Sequence, residues 1–141
     1  MIYIIVALLF YTVGILLVTV ASRKADTNMV SGIVNTISAI IPIVVVLSYL
    51  KKEAFDSSKP GIIYAILGGI AIALFSMALN KSFATDKVAI VSPVVFGGAI
   101  FLTSILSYFL FKEKITTYQG IGLAILGLGL VIIIYAKLSG K

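Results

Sequence analysis

Hydrophobic residues in this chain run in five long blocks, and nearly every charged residue falls in the short gaps between them. The blocks cover Ile2–Ala21, Val30–Leu50, Gly61–Asn80, Val88–Phe111 and Tyr118–Ala136. Each holds about 20 residues or more, and at about 1.5 Å of rise per residue such a helix crosses the ~30 Å hydrocarbon core of a bilayer. The pattern predicts an all-α membrane protein with five transmembrane helices in one domain over residues 1–141. It leaves no room for a soluble domain.

Charge follows the same partition. The acidic residues Asp26, Glu53, Asp56, Asp86 and Glu113 all lie in the gaps. So do Arg23, Lys24, Lys51, Lys52, Lys59, Lys81, Lys87, Lys112 and Lys114, with Lys137 and Lys141 in the tail. A bilayer imposes this segregation, because a charge at the centre of a spanning helix costs about 2.5–3.5 kcal/mol. With 61% hydrophobic and 11% charged residues and a mean hydropathy of +1.21, the composition suits a multi-pass membrane protein. The net charge of +6 is spread over every loop and makes no clustered basic face. It serves anchoring and topology, and nucleic acid is not an expected partner.

The gaps Arg23–Met29, Lys51–Pro60, Lys81–Lys87 and Lys112–Thr117 are short, so successive helices should be antiparallel neighbours. Pro60 is placed to open the third helix, and Thr116 or Thr117 to cap the fifth with Gln119 close behind. The first block has no basic n-region, is long for a signal peptide and ends in a poor cleavage site, so it reads as a retained span. An odd number of spans puts the termini on opposite faces. The N-terminal face then carries five basic residues (Lys51, Lys52, Lys59, Lys112, Lys114) and the other carries six (Arg23, Lys24, Lys81, Lys87, Lys137, Lys141). So small a bias barely specifies orientation. Either copies insert both ways, or one or two residues near helix ends decide.

Several chemistries are excluded by what is missing. Without His or Cys there is no Ser–His machinery, no thiolate nucleophile and no ordinary zinc ligand set. No acid lies within a block, so an intramembrane aspartyl pair cannot form. No enzyme activity, metal or cofactor is expected.

Small and polar residues inside the blocks are the remaining signal. Gly61, Ala65, Gly69 and Ala73 recur every four residues, and Gly120, Ala124 and Gly127 share one side of the fifth block. Such stripes let helix backbones approach closely in lipid, either within one chain or across a dimer seam. Ser31, Asn35, Ser38 and Pro42 fall on one face of the second helix, and Pro93, Gly97, Ser104 and Tyr108 on one face of the fourth, with Ser92 beside them. Tyr11 and Thr12 make a polar patch at mid-depth in the first. Pro42 and Pro93 each remove a backbone hydrogen bond, and broken helices at membrane depth are tolerated where they are buried in protein or line a cavity. The candidate wall of a substrate cavity is therefore Tyr11, Thr12, Asn35, Ser38, Pro42, Ser92, Pro93 and Gly97. Interhelical hydrogen bonds and packing kinks would leave the same pattern.

The run Ala89-Ile-Val-Ser-Pro93-Val, then Glu113 and Gln119-Gly-Ile-Gly122 leading into a Gly-rich apolar helix, resembles the EamA-like half of the drug/metabolite transporter superfamily. Pro93, Glu113, Gln119 and Gly122 occupy the places of that pattern, and Ala78-Leu79 also fits. The resemblance implies one half of an inverted-repeat transporter, with a central cavity between two five-helix halves. Glu113 and Gln119 would be structural residues of the last loop. Small multidrug exporters of the superfamily use a membrane-embedded Glu in the first helix, for which this chain has Tyr11, Thr12 and Gly14 at that depth.

Together these features suggest a transporter of small polar or amphipathic metabolites, an antiparallel, dual-topology homodimer working by alternating access. Two alternatives stay open. One is a subunit of a flippase for a lipid-linked substrate, paired with a similar short membrane protein. The other is a non-transporting scaffold, in which replacing Asn35, Pro42 or Pro93 by Ala would leave flux untouched.

Overall fold

In the computed structural model residues 2–49 and 52–140 are described, with side chains described outside residues 49–60. The chain is all-helical, with 91% of residues in helix and no strand among the described residues. The helices are α1 (Ile2–Lys24), α2 (Thr27–Tyr49), α3 (Lys52–Thr85), α4 (Val88–Ser92), α5 (Gly98–Phe111) and α6 (Thr117–Leu138), and one π-helical turn, Pro93–Gly97, joins α4 to α5. Five stretches are long and apolar enough to span a membrane: Ile2–Lys24, Thr27–Ser48, Gly61–Thr85, Val88–Phe111 and Thr117–Leu138.

The links are shorter than the charge pattern suggests. Residues 25–26 separate α1 from α2, residues 86–87 separate α3 from α4, and residues 112–116 separate α5 from α6. Most of the link expected over residues 51–60 is helix, since α3 begins at Lys52 and Pro60 does not open it; Lys51 itself lies outside the described residues. The physical reason is that hydropathy marks where a helix leaves the hydrocarbon, whereas backbone hydrogen bonding ends only where a cap ends it.

Those caps are identifiable. Asp26 Oδ1 accepts the backbone N–H groups of Asn28 at 3.0 Å and Met29 at 2.9 Å, which starts α2 two residues after α1 stops. Arg23 and Lys24 lie in the last turn of α1, where the helix dipole favours cations. At the start of α6 a reciprocal capping box forms. The Thr116 hydroxyl accepts the Gln119 N–H at 3.3 Å, while Gln119 Oε1 accepts the Thr116 N–H at 2.9 Å. Lys112 ends α5 by taking the left-handed conformation, with φ 54° and ψ 30°.

Two compact units divide the chain, Met1–Thr85 and Asp86–Lys141. In the first, α1, α2 and α3 pack on one another, and the buried residues gather at one end. Thr19, Ser22, Val30, Ser31, Leu79, Asn80 and Phe83 are buried where α1 finishes, α2 begins and α3 finishes. Arg23 Nε donates there to the Phe83 carbonyl at 3.2 Å. Towards the other end Leu9, Leu47 and Leu67 stay exposed, a surface that suits lipid. In the second unit α6 packs on α5 and on the π-turn, and Lys137 near the end of α6 pairs with Asp86 at 3.0 Å.

Candidate functional site

Polar side chains in the first unit meet as a ladder between α2 and α3. Ser31 and Asn35 stand one turn apart on α2, and Ser76 and Asn80 one turn apart on α3. Asn80 Nδ2 donates to Ser31 Oγ at 2.7 Å, and Asn35 Nδ2 donates to Ser76 Oγ at 3.2 Å. Asn35 Nδ2 also reaches the Ser31 carbonyl at 2.8 Å, and Ser31 Oγ donates to the Thr27 carbonyl at 2.8 Å. Antiparallel helices pair positions in reverse order, so Ser31 meets Asn80 and Asn35 meets Ser76. The half-buried amide of Asn35 thus donates once within its own helix, to the Ser31 carbonyl, and once across to Ser76 of α3; bonds of the second kind supply in lipid the association that hydrophobicity cannot.

The other candidates of this unit lie outside the ladder. Ser38 is exposed and bonds back to the Val34 carbonyl, and Thr12 Oγ1 does the same to the Leu8 carbonyl at 2.8 Å. Tyr11 is 47% exposed, and Pro42 is an exposed residue inside a continuous α2. The stripe Gly61, Ala65, Gly69 and Ala73 is exposed along its length, and a Cβ added at Gly61 or Gly69 would meet nothing within 4 Å. Packing inside this unit does not use the stripe.

The second unit holds the helix break. Proline has no N–H to give the preceding turn, and here Pro93 is the first residue of the π-turn. The hydroxyl of Ser92, just before it, is buried and has no hydrogen-bond partner among the described residues. A π-turn contains one residue more than an α-turn, which rotates the rest of the span by about 100°. The α-helical spacing from Pro93 to Gly97, Ser104 and Tyr108 is therefore offset at this point. Gly97 is buried in the seam with α6, where an added Cβ would lie 3.0 Å from Leu130 Cδ2 and 3.5 Å from Leu126 Cδ1. Gly127 of α6 gives room to the Phe101 ring, 3.2 Å from its would-be Cβ. Gly120 and Ala124 make no comparable approach, with Gly120 half-buried, nothing near its would-be Cβ, and Ala124 exposed.

Beyond this seam, α5, the last link and α6 enclose a groove of about 400 Å³. Glu113 and Gln119 line it, together with Ser104, Ser107 and Lys114. Among the described residues no cluster of three or more acidic side chains could hold a metal ion.

The sequence pattern alone gave no role to Ser76 or Asn80 and did not point to the groove. The ladder had a signal: two i, i+4 polar pairs on consecutive antiparallel helices, each pair near the same membrane face. The groove had none, because Ser104 and Ser107 look like any hydroxyls that bond back to their own helix, as Ser107 Oγ does to the Ser104 carbonyl at 3.0 Å.

No curated protein and no solved structure matches the chain at a significant level. The profile of the EamA-like transporter family matches residues 1–135, from the first helix through nearly all of α6. That span takes in the fourth membrane stretch with its π-turn at Pro93, the Glu113 loop and the Gln119 cap, with four of the membrane-spanning stretches whole and most of the fifth, and the chain belongs to the EamA-like transporter family.

Proposed function

We propose that this multi-pass membrane protein carries small polar or amphipathic metabolites across the inner or plasma membrane as an antiparallel homodimer, by alternating access. Its family is one of membrane transporters. The observation that carries the transport reading is the π-turn at Pro93, with the buried Ser92 hydroxyl beside it unpaired among the described residues. An interrupted helix at membrane depth frees polar groups that a bilayer would otherwise penalise, and transporters place such breaks where a substrate binds. The spans contain no acidic or basic side chain at their centres, which suits a neutral or zwitterionic cargo.

Pairing of oppositely inserted copies is supported by the five-against-six distribution of basic residues and by the unused small-residue stripe on α3. Two such copies would rebuild an inverted repeat. Paired C-terminal reporters, one active only in the cytoplasm and one only outside, test the arrangement. Both should report strongly. A single active reporter refutes self-pairing and turns the search to a different, oppositely inserted partner chain.

A further inference from the structure

The groove between α5 and α6 adjoins the glycine seam, sharing Leu126 with it, lies outside the proposed cavity wall, and has a lining graded along the helix axes. Glu113, Lys114 and Gln119 stand at its mouth, in the link and the first turn of α6. Ser107 and Ser104 follow down α5, and Ile100, Leu123 and Leu126 close the deep end. From Phe111 back to Ile100 the helix descends about 16 Å at 1.5 Å per residue, roughly half of the hydrocarbon core. The mouth is at the interface and the floor is in hydrocarbon. A free polar metabolite gains nothing from that floor, whereas an amphiphile fills both ends.

Donor and acceptor accounting narrows the headgroup. Gln119 Oε1 already accepts from the Thr116 N–H, so most of the free capacity of this side chain is its two amide N–H donors. The Ser107 proton goes to the Ser104 carbonyl, which leaves its oxygen to accept. Among the described residues neither Glu113 nor Lys114 has an ion-pair partner. The mouth therefore offers an ammonium and an amide donor beside a carboxylate and an accepting hydroxyl. The complement is a headgroup that joins a phosphate to a cation with N–H donors. We propose that the groove binds a phospholipid with a primary-amine headgroup, its phosphate at Lys114 and Gln119, its ammonium at Glu113 and Ser107, and one acyl chain along Ile100, Leu123 and Leu126. A trimethylammonium headgroup has no N–H to give Glu113, and a glycerol headgroup has no cation.

Native mass spectrometry of the purified full chain, loaded with equimolar phosphatidylethanolamine, phosphatidylcholine and phosphatidylglycerol of identical acyl chains, tests the assignment. Phosphatidylethanolamine should be retained over each of the others by at least about threefold, the scale of one exposed ion pair. Glu113→Gln should bring that ratio near one, Lys114→Gln should lower retention of all three, and Lys87→Gln, the same charge change outside the groove, should alter nothing. No preference in the unaltered chain, or a preference that survives Glu113→Gln, overturns the proposal. So does equal displacement by glycerophosphoethanolamine, which has the headgroup but no acyl chains. The chain has no cysteine, so Leu123→Cys provides a unique thiol. Ready disulfide trapping between two copies in a bilayer would make a second copy the occupant and also refute the lipid site. The site lies within one unit, and none of these results depends on transport.

Discussion

Asn80→Ala should weaken the first unit by about 1.5–2.5 kcal/mol, and the size derives from the bonding and burial of the amide. Asn80 is 1% exposed, and its Nδ2 donates to Ser31 Oγ at 2.7 Å. Ser31 has already given its own proton to the Thr27 carbonyl, so accepting from Asn80 completes its bonding. An interhelical hydrogen bond in a membrane contributes about 0.6 kcal/mol on average and up to about 1.7 kcal/mol. Truncating a fully buried side chain adds a void of three heavy atoms, on the order of another 1 kcal/mol. Reversible unfolding of the purified chain by sodium dodecyl sulfate in mixed micelles, followed by circular dichroism, gives the loss directly.

A double-mutant cycle separates the bond from the void. Ser31→Ala also removes the bond to Thr27, but that contact is independent of Asn80 and cancels in the cycle. The coupling between Ser31→Ala and Asn80→Ala should be about 0.5–1.5 kcal/mol. Asn35 provides an internal control, because it bonds to the Ser31 backbone carbonyl, which survives the Ser31→Ala change. Coupling between Asn35→Ala and Ser31→Ala should stay below about 0.3 kcal/mol, within the usual additivity error. Equal coupling in both cycles, or none in either, would refute the ladder as the element that joins α2 to α3.

Gly97→Ala should cost under about 1 kcal/mol, since the clash is with the mobile end of Leu130, whereas Gly97→Val should cost about 1–3 kcal/mol in the same unfolding measurement. Gly69→Leu points into open space within its unit, so the unfolding free energy should move by less than about 0.5 kcal/mol. If the α3 stripe is the seam between copies, chemical cross-linking of Gly69→Leu in membranes should lose the dimer band. Thr116→Ala removes half of the capping box of α6 and should cost about 1 kcal/mol. Lys112→Gly relieves a left-handed φ of 54° and should stabilise by a few tenths of a kcal/mol, read as an increase in the denaturant midpoint.

The spans were legible in the sequence because a bilayer tests each helix separately for length and charge, and that test is local. The cap at Thr116 was legible for the same reason, since a hydroxyl followed three residues later by Gln119 is a local device. The helix ends at Lys24 and Thr85 and the start at Lys52 were not, because charged residues leave the hydrocarbon without leaving the helix. Side-chain roles were harder. Asn35 carries one chemistry in two settings, a cavity wall or a helix bond, and only its partner, Ser76, distinguishes them. Gly97 is another case, because a small residue near a proline suits a substrate path and a close helix crossing equally until Leu126 and Leu130 are placed against it.

Helical periodicity fails outright at the fourth span. It assumes a constant 3.6 residues per turn, and the π-turn from Pro93 to Gly97 breaks that assumption beside the proposed binding wall. An extra residue there lets α4 and α5 present different faces while remaining one span, so that Gly97 at the end of the turn and Phe101 of α5 can be committed to α6 without dictating where Ser92 and Pro93 face. The proposed alternating-access cycle would use this separation, with the α5–α6 seam holding its packing while the proposed binding wall changes neighbours. Pro93→Ala restores the missing N–H and should draw the turn back toward α-helical register. Overall helicity by circular dichroism should be unchanged. A single cysteine at position 92, introduced as Ser92→Cys, should change its rate of labelling by a water-soluble maleimide several-fold when Pro93→Ala is added. An unchanged rate would mean that proline does not set the register, and the separation of faces would have to be sought in the glycines at positions 97 and 98.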